Sequence, residues 1–167
     1  MNPKDLVTPE LVNYCSNLGV IIVLGYTKTG KLPIAKKLAQ ELNYPLIISD
    51  DYLQYEDPLG TLTNIMYNNG REVVVEGTLC YRLLRKEFTN GFIPDVVIKT
   101  VCNDETIKYF YRQDREEHKI KRALSFNKGL GKIWDEYRSM LKNNLHNITP
   151  PRYIELKTTL PEFSYFS

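Results

Sequence analysis

The sequence predicts an α/β fold built on a five-stranded parallel sheet. Five short runs of β-branched and aliphatic residues alternate with segments in which apolar residues recur at helical spacing. The first run, residues 20–24, has no polar alternation, which is typical of a strand buried on both faces. A length of 167 residues suits one domain with a substantial core. We therefore expect a single domain, 1–167, with helices on both faces of the sheet.

Each predicted element follows from local patterning and punctuation. The five strands are predicted at residues 20–24, 46–49, 72–77, 95–101 and 152–156. Helices are predicted at about 9–18, from directly after Lys31 to 42, 61–67, 79–88, 103–119 and from Gly129 and Gly131 to Leu145. The Pro58-Leu59-Gly60 run is expected to break the chain before the third helix. Residues after Lys157 give no clear signal.

Composition excludes several classes of function. A formal net charge of +2 is too small to indicate nucleic-acid binding by bulk electrostatics. Two histidines, and three cysteines without metal spacing, argue against a zinc site or a histidine-based triad. No apolar run approaches the roughly 20 residues that span a membrane, and the first residues lack the form of a signal peptide. We expect a cytoplasmic protein.

A phosphate-binding motif follows the first predicted strand. It has the spacing Gly, four residues, Gly-Lys, and its residues are Gly25, Tyr26, Thr27, Lys28, Thr29, Gly30 and Lys31, followed by Leu32. The glycines let successive backbone N–H groups turn inward around an anion, and Lys31 adds a positive charge for the outer phosphates. A helix then begins at once and adds its positive N-terminal end. An ordinary glycine-rich turn is the alternative, which the buried strand and the amphipathic helix make the weaker interpretation.

The eighth position departs from the motif. Ser or Thr is expected there to place a hydroxyl on Mg²⁺, and this chain has Leu32 followed by Pro33. Pro33 is compatible with a first helical turn, whose N–H groups have no intrahelical partner. Leu32 cannot ligate a metal. The motif therefore predicts phosphate binding and leaves the mode of Mg²⁺ binding open.

Acidic residues follow two further strands. Asp50 and Asp51 end the second strand and Glu76 ends the third. Because ligands bind beyond the carboxyl ends of parallel strands, these acids are expected to share a cleft with Lys31. Glu76 is placed to hold Mg²⁺, and Asp50 or Asp51 to accept a proton from an attacking hydroxyl. Adjacent carboxylates on an extended chain point to opposite faces, so only one is expected to reach the substrate. For the other, a turn or helix cap is an equally good interpretation.

A lid is predicted at about residues 112–128. Arg112 and Arg115 lie after the fourth strand, where small kinases carry a mobile lid. Arginines there would fold over the phosphates and stabilise negative charge during transfer. The alternative is a solvated helix face, because the segment mixes charges of both signs.

Four motifs together resemble one family. They are residues Gly25 to Lys31, Ile48-Ser49-Asp50-Asp51-Tyr52, Val74-Val75-Glu76-Gly77 and Trp134-Asp135-Glu136-Tyr137-Arg138. This combination, over residues 20–156, resembles the uridine kinase and nicotinamide riboside kinase family. The resemblance implies a three-layer P-loop NTPase fold of nucleoside-kinase type, ATP and Mg²⁺ as cofactors, and Asp50 as the base. It also implies Glu76, with Asp50 beside it, at the metal. The Asp-Asp-Tyr run resembles phage-type polynucleotide 5′-hydroxyl kinases as well, and by that likeness Asp51 is the base.

Three functions follow as hypotheses. The leading one is ATP-dependent phosphorylation of a hydroxyl on a nucleoside-like small molecule, with Tyr52, Tyr55 and Arg82 near the acceptor. The second is a kinase for a nucleic-acid end or a modified base, with Arg82, Arg85 and Lys86 in a basic groove. The third is a nucleotide-binding module without turnover, because Leu32 has removed the metal-binding hydroxyl.

Overall fold

Five parallel strands form one sheet in the order β2-β3-β1-β4-β5. The structure is a computed structural model that describes residues 2–166, with side chains described as far as Phe163. The strands are β1 (Val20–Gly25), β2 (Leu46–Ile48), β3 (Val73–Glu76), β4 (Val96–Val101) and β5 (Arg152–Lys157). All five predicted strands are present, and the prediction of a five-stranded parallel sheet is confirmed.

Six α-helices connect the strands of the described region. They are α1 (Pro9–Cys15), α2 (Lys31–Leu42), α3 (Pro58–Asn68), α4 (Leu79–Phe88), α5 (Asp104–Gln113) and α6 (Ile120–Asn143). Helices α1 and α2 pack on one face of the sheet, and α3, α4 and α6 pack on the other. The molecule therefore has the three layers that the sequence predicts.

The two faces of β1 show why its sequence lacks polar alternation. Val20, Ile22 and Leu24 join the apolar cluster beneath α3, α4 and α6, whereas Ile21 and Val23 join the cluster beneath α1 and α2. All five side chains are fully buried. A central strand covered on both faces needs an uninterrupted apolar run.

Strand register brings the carboxyl ends of the sheet to one edge. On β3, Glu76 is paired with Val23 of β1 and with Ile48 of β2. On β4, Thr100 is paired with Gly25, the first residue of the phosphate motif. The segments that follow β1, β2, β3 and β4 therefore begin side by side.

The prediction that Gly129 and Gly131 open the last helix is wrong. Helix α6 begins at Ile120 and runs through both glycines. Each internal glycine costs roughly 1 kcal/mol of helix propensity, but packing of one face outweighs that cost. That face includes Ala123, Asn127, Leu130, Trp134 and Tyr137, spaced three or four residues apart and buried.

Three other helix boundaries differ from the prediction. Helix α5 ends at Gln113 rather than near 119, and Arg115 then adopts a left-handed backbone with φ of 57°. Helix α3 begins at Pro58, because Asp57 caps its N-terminus through the Gly60 amide and proline suits the first helical position. Helix α1 ends at Cys15 rather than near residue 18.

Short 3₁₀ helices lie outside the longer elements, including at residue 49, which was expected in a strand, and at residues 117–119, which were expected in a helix. They lie at Pro3–Leu6, Ser49–Tyr52, Glu117–Lys119 and Pro161–Phe166. Within residues 2–166, no helix combines the length and the apolar character that crossing a membrane requires.

Candidate phosphate-binding site

The phosphate loop, residues 25–31, is anchored to β4 by a close approach that only glycine permits. A Cβ atom on Gly25 would lie 1.7 Å from the Thr100 hydroxyl oxygen. That hydroxyl makes a 2.7 Å hydrogen bond with the hydroxyl of Thr29, which also donates to the Tyr26 carbonyl oxygen at 2.6 Å. Both threonines are buried. The loop therefore has one defined conformation before any ligand arrives.

Three consecutive amides of the loop are free to bind an anion. Lys28 and Gly30 have φ of 61° and 82°, on either side of Thr29. Alternation of left- and right-handed residues turns successive N–H groups to one side and forms an anion nest. The amides of residues 28–30 donate no hydrogen bond to any residue between 2 and 166. Helix α2 begins at Lys31 and brings its unpaired N-terminal N–H groups to the same place.

Lys31 lies between the loop and the acids of the neighbouring strands. Its ammonium donates a 3.0 Å hydrogen bond to the Tyr26 carbonyl oxygen. Burial lowers the pKa of Lys31, and the charges of Glu76 and Asp50 act in the opposite direction. The structure therefore brings Lys31, Glu76 and Asp50 close together, at the edge of the sheet where the sequence predicts them.

Glu76 is a buried carboxylate without a hydrogen-bond donor among the described residues. It is 5% exposed. Burial raises the pKa of Glu76, and Asp50 and Asp51 raise it further, whereas Lys31 lowers it. Burial therefore disfavours the charged forms of both Lys31 and Glu76, a pattern that marks candidate functional sites.

Asp50 and Asp51 do not lie on an extended chain, so the premise that they point to opposite faces is wrong. They belong to the 3₁₀ helix Ser49–Tyr52, and both are exposed. Asp50 Oδ1 lies 3.4 Å from the point that a Cβ on Gly77 would occupy, beside Glu76. The charge of Asp50 acts on Lys31 and Glu76, and that of Asp51 acts on Glu76. Both acids therefore lie close to the site, with the Asp50 carboxylate beside Gly77.

The donors around Glu76 fit Mg²⁺ only if the ligand completes its coordination. No three His, Cys, Asp or Glu side chains in the described part of the chain are arranged to hold a metal. Leu32 lines an outer groove with Lys4 and Lys36 and offers no oxygen. Mg²⁺ is commonly held by one or two carboxylates together with phosphates and water. Glu76 and Asp50 meet that requirement.

The predicted lid segment contacts the loop, but not through its arginines. Lys28 forms ion pairs with Asp114 and with Glu116, the latter at 3.1 Å. Arg112 and Arg115 are exposed, and neither guanidinium makes a hydrogen bond or ion pair with another described residue. The segment therefore presents acids to Lys28, and the expectation that arginines would fold over the loop is not met in this conformation.

Asn127 and Thr100 are the two site residues that sequence reasoning missed. The Thr27 amide donates to Asn127 Oδ1 at 3.0 Å, across 100 residues of chain. No spacing rule identifies Asn127, because it was expected to lie outside a helix. Thr100 had a signal, since it is polar and stands near the carboxyl end of the fourth predicted strand, 95–101, at the edge of the sheet where ligands are expected.

Tyr26 contributes its backbone to the loop and its ring to the core. The ring stacks on Tyr81 with centroids 6.4 Å apart. Its hydroxyl lies 2.7 Å from the point that a Cβ on Gly131 would occupy, which explains a glycine inside α6. The Lys99 ammonium lies 5.9 Å from the ring centroid. The loop and α6 therefore share a packed interface.

Aromatic side chains lie beside the acids. Tyr52 and Tyr55 stack with centroids 5.5 Å apart, and Tyr55 is 48% exposed. Arg82 on α4 is exposed, whereas Arg85 is paired with Glu136 at 2.8 Å. Of the basic groove that was predicted at Arg82, Arg85 and Lys86, one member is thus already engaged by an acid.

Comparisons with known proteins give only distant structural likenesses. No protein-family model and no curated protein matches the chain. A gluconokinase from Sinorhizobium meliloti 1021 has a TM-score of 0.47 at 19% identity, over 87% of this chain and 86% of that one. A shikimate kinase from Bacteroides thetaiotaomicron has a TM-score of 0.40 at 19% identity, over 84% and 86%. These scores carry no functional argument, which rests on the geometry of the site.

Proposed function

We propose that the protein is a phosphotransferase that moves the γ-phosphoryl group of ATP to a hydroxyl of a nucleoside-like small molecule. One observation carries this proposal: the free amides of residues 28–30 and the Lys31 ammonium share an edge of the sheet with the unpartnered carboxylates of Glu76 and Asp50. Phosphoryl transfer needs charge stabilisation and positioning more than covalent chemistry from the protein. Donors on one side and acids on the other meet that need.

Each residue of the site has a proposed role. The amides of residues 28–30 hold the inner phosphates, and Lys31 neutralises charge on the outer ones. Asp50 accepts the proton of the attacking hydroxyl, because its carboxylate lies beside Gly77, the residue after Glu76, and its charge acts on Lys31. Glu76, together with Asp50, holds Mg²⁺, which when bound neutralises phosphate charge. Burial disfavours the negative charge on Glu76, and a bound cation would stabilise that charge again.

The two flanks of the loop are assigned to the two substrates. In-line transfer places the attacking and leaving oxygens on opposite sides of the transferred group. The acids occupy the flank over β2 and β3, so the acceptor binds there. The nucleoside of the donor then lies over β4 and β5, where a groove of about 580 Å³ includes Asn103, Lys108 and Thr159.

Stacked tyrosines support a nucleoside-like acceptor. Tyr52 and Tyr55 directly follow the proposed base, and their stacked rings offer an aromatic surface. Arg82 lies exposed one turn into α4, which begins just after Glu76. A planar base or a ribose suits such a surface better than an aliphatic acid does.

Transfer of radiolabelled γ-phosphate from ATP tests the proposal. The acceptor panel contains nucleosides, nicotinamide riboside and 5′-hydroxyl oligonucleotides, with and without Mg²⁺. Labelling of a small nucleoside-like acceptor that requires Asp50 supports the proposal. Labelling of oligonucleotides alone would assign the chain to nucleic-acid ends. ATP binding without transfer to any acceptor, in the wild type and in Leu32→Thr, would make it a binding module.

A further inference from the structure

We infer that Asn127 is a further phosphate-binding residue, whose side-chain amide donates to the terminal phosphate of the bound nucleotide. The inference rests on the proposed function and names a residue of helix α6 that no motif predicts. Asn127 is 2% exposed. Its carboxamide hydrogen-bonds to Thr27 of the phosphate loop.

The hydrogen bonds of Asn127 fix the orientation of its carboxamide. The Thr27 backbone N–H, which can only donate, lies 3.0 Å from Oδ1, and the Thr27 hydroxyl lies 3.3 Å from the same atom. The atom that faces Thr27 must therefore be the oxygen. The opposite atom, Nδ2, carries two N–H donors and has no partner among the described residues.

An unsatisfied buried donor is costly. A buried N–H group without an acceptor costs about 1–3 kcal/mol, and most such groups in folded proteins are paired. Asn127 also lines a groove of about 480 Å³ together with Tyr26, Asp104 and Lys128. Nδ2 itself is enclosed, but the side chain that carries it borders this groove beside the phosphate loop, so an acceptor that enters and displaces the neighbouring side chains would satisfy the donor.

The place of Asn127 along the loop indicates which phosphate of the nucleotide it would contact. Lys31 donates to the carbonyl oxygen of Tyr26, the residue before Thr27. In a phosphate loop the lysine serves the outer phosphates and the nest amides serve the inner ones. Residues 26–27, and Asn127 with them, therefore lie at the outer end. A phosphate oxygen is the strong acceptor that such a site would take, through a charge-assisted hydrogen bond.

Binding of two nucleotides to wild type and variants tests the inference. Asn127→Asp keeps the oxygen that accepts from Thr27 and replaces the Nδ2 donor by a second acceptor. We expect its affinity for a non-hydrolysable ATP analogue to fall roughly 10- to 100-fold in calorimetric titration, with ADP affinity changed less than about threefold. Asn143→Asp, which makes the same substitution at an exposed position at the end of α6 and away from this groove, should change both affinities less than about threefold.

A second measurement observes the donor itself and needs no stable variant. The ¹⁵N–¹H₂ resonances of the Asn127 side chain should shift when the wild type binds the ATP analogue and stay nearly unchanged with ADP. Unshifted Asn127 resonances, or equal losses of ADP and ATP-analogue affinity in Asn127→Asp, would overturn the inference and leave the proposed function standing. A wild type that binds neither nucleotide would overturn both.

Discussion

The two flanks of the phosphate loop differ in how their polar groups are satisfied. On the flank of β4 and α6, side chains are bonded to one another, Thr29 to Thr100 and Thr27 to Asn127 Oδ1, and only Asn127 Nδ2 among these groups is left without a partner in the described region. On the flank of β2 and β3, the carboxylates of Glu76 and Asp50 have no hydrogen-bond donor among the described residues. The first flank fixes the shape of the loop, and the second keeps charge available for a ligand.

Because of this difference, we expect the residues that stabilise the fold and the residues that act on the ligand to lie on opposite flanks of the loop. Substitutions on the bonded flank should weaken folding and distort the loop, because they break hydrogen bonds that the folded state already makes. Substitutions on the acid flank should leave folding intact or improve it, because Asp50 is exposed and burial disfavours the charge of Glu76.

The largest expected effect is on the acid flank. Asp50→Asn should lower phosphoryl transfer by about 10²- to 10⁴-fold, because removal of a general base has an effect of that size. The thermal unfolding midpoint should stay close to that of the wild type, since Asp50 is exposed. Asp51→Asn is the matched control and should lower transfer less than about tenfold. A larger loss of transfer in Asp51→Asn than in Asp50→Asn would mean that Asp51, and not Asp50, is the general base.

A smaller effect is expected on the bonded flank. Thr100→Val keeps the shape of the side chain and removes its hydrogen bond to Thr29, so the free energy of unfolding should fall by about 1 kcal/mol. ATP affinity should fall with it, because Thr29 anchors the loop. Thr89→Val, at an exposed position away from the loop, is the control for denaturant unfolding. Unchanged stability in Thr100→Val would mean that the contact does not fix the loop.

The pH dependence of stability tests the role given to Glu76 on the acid flank. Its pKa is raised above the usual 4.5, so the folded state binds this proton more tightly than the unfolded state does. Between 4.5 and the raised pKa, stability therefore falls as pH rises. Glu76→Gln should lack this fall, so its stability relative to the wild type should rise from low pH to neutral pH, while Mg²⁺-dependent transfer is lost. Parallel stability–pH curves for the two proteins would contradict the assignment.

The smallest effect is expected at the lid segment. Asp114→Asn combined with Glu116→Gln removes both acidic partners of Lys28. Partly exposed ion pairs contribute little and are screened by salt, so the thermal midpoint should fall slightly at low salt and not at high salt. Glu117→Gln, which changes an exposed neighbour, is the control. A large, salt-independent fall would mean that the segment is part of the core.

Features that depend on local sequence were predictable, and features that depend on tertiary contacts were not. The apolar run 20–24 and the Gly-Lys spacing predict β1 and the loop, because buried strands and anion nests need those residue types wherever they occur. Gly131 misled the helix prediction, because its role is to accommodate the Tyr26 ring from a distant part of the chain. Asn127 could not be found, since its partner lies 100 residues away.

The most direct test is an NMR titration of ¹⁵N-labelled wild type and Lys31→Met with ATP and Mg²⁺. We expect the amide resonances of Lys28, Thr29 and Gly30 to shift strongly in the wild type, because these N–H groups would exchange solvent for phosphate oxygens. The shifts should be weak or absent in Lys31→Met at the same concentrations. Wild-type amides that stay unshifted at saturating ATP would contradict the central claim that this loop holds a polyphosphate.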